Sequence, residues 1–349
     1  METLLVTTAR QLATACARIC GADWIALDTE FMRERTYYAK LCLVQIASAD
    51  CVWLVDPLAV DIAPLIDAIY DENLLKVLHS ARQDLELMYD MRGAPPAAVF
   101  DTQIAAGFLG YDDQIGYANL VEKITGVRLD KTQTRTNWAA RPLSAEQLLY
   151  ASADVTHLRT IYEELHARLA AQGRLAWAQE ECAKLSRPAL YANPLESVHL
   201  RIKQGHAFTP AVQTRLRALA IRREELARAR DLPRSWVLRD TDLIALAIHA
   251  PREESELAAH DALKALPRTW MPEFLPLLHA SAPVAAAWPA AAILSATQQR
   301  QLSALTGIVR RCAADTGISA ALLATRKDLE GLVLGRRDLP VLQGWRHEV

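Results

Sequence analysis

The stretch Trp24-Ile-Ala-Leu-Asp-Thr-Glu30 passes from an apolar run straight into two acids separated by one residue. Trp24 to Leu27 (WIAL) has the composition of a buried strand. Residues two apart on a strand share a face, so Asp28 and Glu30 would project together from its end. Two more β-rich runs follow, Leu41 to Ala47 (LCLVQIA) and Cys51 to Val55 (CVWLV), split by polar or turn residues. Leu74 to Leu78 (LLKVL) and Ala97 to Phe100 (AAVF) each precede a helical pattern and add βα units. The expected class is α/β, a mixed sheet flanked by helices. From Tyr117 to Leu169 the pattern is helical, broken near Lys131 to Pro142 by a polar loop.

Past Gln172 the strand signals stop and helices dominate. Residues 173–200 read as a connector through the proline turns of RPALYANPLE, and five prolines from Pro267 to Pro289 mark a second boundary. Three blocks result: an α/β block over residues 1–195, a helical block over 201–280 and a second helical block over 290–349.

Two further acids join the pair on the strand. Tyr150-Ala-Ser-Ala-Asp154 lies in SAEQLLYASADVTHLRTIYEEL, where Ser144 and Gln147 have the spacing of a capping box. Four residues apart on a helix, the phenol and the carboxylate share a face. Asp84, in HSARQDLELM, falls in the first turn of a helix, where negative charge suits the helix dipole. Singly, each is also what a solvated strand end, a core tyrosine or an exposed first-turn acid would look like, and His79 reads as structural. Together, four clustered acids repel one another unless cations neutralise them, and hard divalent ions take oxygen ligands. The cluster therefore implies metal.

Composition sets outer bounds. At 349 residues, 51% hydrophobic and 23% charged, the chain is globular and too long for one ordinary core. No apolar run approaches the roughly 20 residues that cross a bilayer, and METLLVTTARQLATACARIC lacks a basic export signal, so a cytoplasmic address is expected. The six cysteines form no zinc-ligand pattern and read as reduced thiols. Net charge is −2, yet residues 201–239 hold ten Lys or Arg against three acids. Such a run reads as a basic face for a phosphate backbone, with Arg215 and Arg222 as candidate contacts, or as a solvated helix laced with ion pairs.

Asp28-Thr29-Glu30, Asp84 and Tyr150-x-x-x-Asp154 resemble the three motifs of the tyrosine branch of the DEDD exonucleases. EFMRERTYYAKLCLVQIA (Glu30 to Ala47), FDTQIAA (Phe100 to Ala106) and LDKTQTRTNWAARPLSAEQLLYASADV (Leu129 to Val155) are similar to ribonuclease D. LRALAIRREELARARDLPRSWVLRDTDLIALA resembles an HRDC helical module, and TGISAALLATRKDLEGLVLG a second, divergent one. The resemblance implies a ribonuclease H-like sheet followed by two all-α modules, and a 3′→5′ exoribonuclease releasing 5′-mononucleotides with two divalent ions, Mg²⁺ or Mn²⁺. Asp28, Glu30 and Asp154 would hold one ion, Asp28 would bridge to the second, Asp84 would anchor it, and Tyr150 would orient the attacking water. Gln45, Lys131 and Arg141 would contact sugar or phosphate. The implied partner is RNA with a free 3′ end, transfer RNA precursors or other structured RNA, with neither a membrane nor an obligate protein partner evident. The motifs do not read the 2′-hydroxyl, which keeps a DNA 3′→5′ exonuclease open. A non-catalytic RNA-binding protein on a nuclease fold is the alternative from another class.

Overall fold

The computed structural model describes residues 1–129, 136–253, 255–256, 269–279, 288 and 294–349. They pack as two units. One comprises Met1–Met32, Leu41–Tyr191 and Leu294–Val349, the other Arg33–Lys40 and Ala192–Ile293.

The first unit is built on a six-stranded sheet from β1 (Glu2–Val6), β2 (Trp24–Met32), β3 (Lys40–Ala47), β4 (Cys51–Val55), β5 (Leu75–Leu78) and β6 (Val99–Asp101), in the spatial order β1-β4-β3-β2-β5-β6. β1 with β4, β2 with β5 and β5 with β6 run parallel, while β3 and β4 are antiparallel, so the sheet is mixed as expected. β1 has no counterpart in the sequence reading. Its apolar run is only three residues, Leu4 to Val6, and four of its five residues are exposed with only Val6 buried, so it is held mainly by its backbone ladder with β4.

Strand alternation sends side chains into two cores. Ile25, Leu27, Trp53 and Val55 face α1 (Ala9–Ile19), α2 (Ala63–Ile69) and α3 (Arg82–Arg92). Ala26, Val52, Leu54 and Val77 face the opposite layer, with α4 (Thr102–Gly107), α5 (Tyr117–Thr125), α6 (Ala145–Ala171) and α7 (Leu175–Ala183). The capping box read from sequence starts α6: Gln147 N–H donates to Ser144 Oγ, 3.2 Å, and Ser144 N–H to Gln147 Oε1, 2.9 Å. α6 then runs 27 residues, burying Ala151, Val155, Leu158, Ile161 and Leu165.

The C-terminal block, a separate block in sequence pattern, packs with this unit. Ile318, Leu323 and Trp345 lie in the same core as α6, and Arg174 donates to the carbonyls of Phe108 and Thr316.

The second unit holds α8 (Pro210–Ala229), α9 (Arg234–Val237) and α10 (Asp240–His249) around Leu216, Leu219, Leu243, Leu246 and Phe274. Residues 33–40, which connect β2 to β3 in sequence, belong to its packing through Tyr37.

Candidate active site

β2 continues through the acid pair to Met32, so Asp28 and Glu30 lie inside the strand rather than at its end. By alternation they follow Ala26 toward the α6 layer, whereas Thr29 follows Ile25 and Leu27 toward α3. One carboxylate oxygen from each of Asp28, Glu30 and Asp154 falls within 4.8 Å of the other two. Asp154 reaches this point from the buried face of α6, and Tyr150, one turn earlier, hydrogen-bonds its carboxylate.

Asp84 comes from the first turn of α3 and lies outside that triplet, near enough for its charge to act on Asp28 and Glu30. Thr29 Oγ1 donates to Asp84 Oδ1 at 2.5 Å. Thr29 is thus a site residue the sequence reading passes over: the residue between the two acids, pointing to the other face, steadies the fourth. Tyr117 is another. Its hydroxyl donates to the main-chain carbonyl of Asp154, tying α5 to the helix that presents this acid. A tyrosine after a glycine at a helix start carries no such signal in sequence.

Every one of the four acids titrates above its ordinary range. Asp28 is raised well above it by burial and then by the charges of Asp84, Asp154 and Glu30. Burial, then Asp154 and Asp84, push Glu30 up to about 8. Burial takes Asp154 to about 7 against the Tyr150 hydrogen bond, and Asp84 to about 6 against the Thr29 hydroxyl. Carboxylates raised by burial, Asp28 and Glu30 also by their neighbours' charges, make a site short of positive charge. An all-oxygen donor set of this kind fits a hard divalent cation.

The expected RNA contacts fare differently. Gln45 is fully buried on β3 and presents no exposed atom to sugar or phosphate. Arg141 is engaged within the protein. Its Nε and Nη2 donate to the two Asp56 oxygens at 2.6 and 2.7 Å, Nη1 to the carbonyls of Trp138 and Ala140, and Nη2 also to that of Cys42. A guanidinium has five N–H donors, and all five are used inside the protein. Arg222 pairs with Glu225 and Glu273, so its charge is met within the protein. Arg215 Nε donates to the Ala247 carbonyl near the end of α10 and is half-buried rather than displayed for RNA. Lys131 lies outside the described residues. Half of the ten basic residues of the run pair with acids: Arg222 as above, Arg223 with Asp240, Arg228 and Arg234 with Glu224, and Arg239 with Asp242. His79 is structural, as read, its ring nitrogens meeting Thr102 Oγ1 and the Ile115 carbonyl.

A family model described as a 3′-5′ exonuclease matches residues 4–170, and one described as an HRDC domain matches residues 212–266. A ribonuclease D of Zymomonas mobilis is 38% identical over 361 residues, covering 99% of this chain and 91% of its own. One from Nitrobacter hamburgensis is 43% identical over 266 residues, 76% of this chain and 69% of the relative. Among solved structures, Escherichia coli RNase D, described as an exoribonuclease involved in structured RNA processing, superposes with a TM-score of 0.87 at 31% identity, covering all of this chain and 96% of that one.

Proposed function

The chain belongs to the ribonuclease D family of 3′→5′ exoribonucleases, and from that premise we propose that Asp28, Glu30, Asp84 and Asp154 hold two divalent cations over the 3′-terminal phosphodiester of RNA. The family fold carries divalent-metal dependence, and the finer assignment is to Mg²⁺ or Mn²⁺, with Asp28, Glu30 and Asp154 on one ion and Asp28 and Asp84 on the other. The supporting observation is the convergence of carboxylate oxygens from β2 and α6 within 4.8 Å, with Asp84 beside them.

Bound there, divalent cations would supply Lewis acidity to an attacking water and to the leaving oxygen. Tyr150 orients that water. Its hydroxyl, hydrogen-bonded to the Asp154 carboxylate one turn on, supplies geometry rather than base strength. Water adds to phosphorus, the P–O3′ bond breaks, the shortened RNA keeps a 3′-hydroxyl, and a 5′-mononucleotide leaves. Structured RNA with a short 3′ tail, transfer RNA precursors included, is the substrate class we favour. A cytoplasmic address fits six unpaired cysteines. Among the described residues no helix is long and apolar enough to cross a membrane.

The test uses 3′-labelled linear RNA, DNA of matched sequence and a circular RNA, each with Mn²⁺, Mg²⁺ or EDTA. Linear RNA should be trimmed stepwise to 5′-mononucleotides, EDTA should stop the reaction, and the circle should survive. Asp28→Asn should reduce turnover at least a thousandfold, because it removes the carboxylate shared by both ions, while RNA binding in Ca²⁺ stays within about threefold. Cuts in the circle, or turnover by a clean Asp28→Asn preparation, would defeat the reading. Faster loss of the DNA would move it to a DNA exonuclease.

A further inference from the structure

We propose that Asp101 is a positioning residue for the exonuclease site, fixing the turn that delivers Asp84. The proposal rests on the assignment of Asp84 as a metal ligand.

Asp101 closes β6 and is 3% exposed. Its Oδ1 accepts from the backbone N–H of Ser80 at 3.0 Å and of Gln103 at 2.8 Å, and its Oδ2 from the N–H of Ala81 at 2.9 Å. One carboxylate therefore caps α4 locally and also holds the two residues ahead of α3, twenty positions back along the chain. That second task has no local substitute, because the residue flanking α3 is Ala81, which offers no side-chain cap.

The turn needs holding. Ser80 sits at φ +57°, in the left-handed region that costs a non-glycine residue about 1 kcal/mol or more. Asp84 follows as the third residue of α3, so rotation at Ser80 and Ala81 swings its carboxylate. Around the same point Thr102 Oγ1 donates to the Leu78 carbonyl at 3.0 Å, while His79 bridges Thr102 and Ile115. Asp101 itself is walled in, with Cys182 Sγ 3.2 Å from its backbone nitrogen. It acts through the turn, and Thr29 then locks the far end of Asp84. The geometry makes a prediction that charge alone does not. Glutamate keeps the charge but lengthens the arm by a methylene, and asparagine keeps the arm but turns an N–H₂ toward the Ala81 N–H. Both break the same bond.

The experiment measures Mn²⁺ binding to the full chain by electron paramagnetic resonance, alongside the Mn²⁺ dependence of the rate on a short RNA, for the parent, Asp84→Asn, Asp101→Asn and Asp101→Glu. The parent should bind two ions and Asp84→Asn should lose the weaker one. Both Asp101 variants should keep one tight ion, bind the second at least tenfold more weakly, and recover most of their rate at high Mn²⁺. Ser80→Gly tolerates the left-handed turn without strain. It should restore part of the second-ion affinity to Asp101→Asn, measured at a temperature where thermal melts show every variant fully folded, so that the rescue reports the turn and not stability. The double variant also gives a readable protein if Asp101→Asn alone does not fold. Asp101→Glu binding both ions as the parent does would overturn the positioning role, as would an Asp101→Asn whose second-ion affinity is intact or unmoved by Ser80→Gly. If Asp84→Asn itself bound two ions like the parent, the assignment of Asp84 would fail first and take this proposal with it.

Discussion

Arg141 shows how far a residue type can mislead when its partners are distant in sequence. Asp56, 85 positions earlier, is buried, and burial alone would raise its pKa. The Arg141 hydrogen bonds outweigh that and hold it below the ordinary carboxylate range. Replacing Arg141 with glutamine leaves a buried carboxylate without its cation, which should destabilise the nuclease unit by about 3 kcal/mol. RNA affinity in Ca²⁺, measured well below the melting temperature, should change less than threefold. A large loss of affinity with an unchanged urea midpoint would restore Arg141 to the substrate. The acids are legible for the opposite reason. Asp28 with Glu30, and Tyr150 with Asp154, sit at spacings that strand and helix geometry convert directly into shared faces. Gln45 has no such spacing rule to say whether an amide on a strand faces water or the core.

At the scale of elements, α8 carries the most densely paired group of the helical unit. Glu224 is 1% exposed and accepts from Tyr37, Arg228 and Arg234, while the amides of Tyr37 and Tyr38 both donate to Asp231. Burial alone would raise the Glu224 carboxyl, but the hydrogen bonds from Arg234 and Tyr37 and the nearby charges bring it down to about 2 from an ordinary 4.5. A folded-state pKa below the unfolded one gives stability that is complete above the unfolded value and lost as pH falls through the folded one. The unit should therefore weaken as pH drops from 4.5 toward 2. Glu224→Gln should be less stable at pH 7 by on the order of 3–5 kcal/mol, since two cations lose their partner. It should also show a shallower stability profile across that acid window. An unchanged slope in tryptophan-monitored unfolding would mean that other carboxylates carry the acid sensitivity. The sequence shows this run as an excess of ten basic residues over three acids because it counts neighbours along the chain. Folding brings Asp240 and Glu273 against Arg223 and Arg222 of α8, and the apparent basic face shrinks.

For the whole molecule, sequence blocks and packed units divide the chain differently. A helical pattern after a proline-rich stretch reads as a module of its own, because nothing in its periodicity says which core its apolar face will join. Here that face joins the nuclease. Trp345, 1% exposed, stacks on Trp177 with ring centres 5.6 Å apart, meets Phe108 edge-on at 4.7 Å, and donates from Nε1 to Glu181 at 2.6 Å. Arg346 pairs with Glu181 and caps the carbonyls of Leu322 and Leu323. A chain ending at Leu195 keeps every proposed metal ligand but loses Ile318, Leu323 and Trp345 from the core that supports α6. Residues 33–40 lose the helices they pack among as well. Such a chain should bind metal and RNA poorly at 37 °C because it is partly unfolded there, and should regain activity on a short RNA on cooling. Trp345→Ala in the full chain isolates the first effect and should cost about 3–5 kcal/mol, the usual loss for a buried tryptophan. The check is a thermal melt of all three proteins with exonuclease rates at 15 and 37 °C. If the chain ending at Leu195 melted with the parent and trimmed short RNA at the parent rate at both temperatures, residues 1–195 would stand alone and the C-terminal packing would be dispensable.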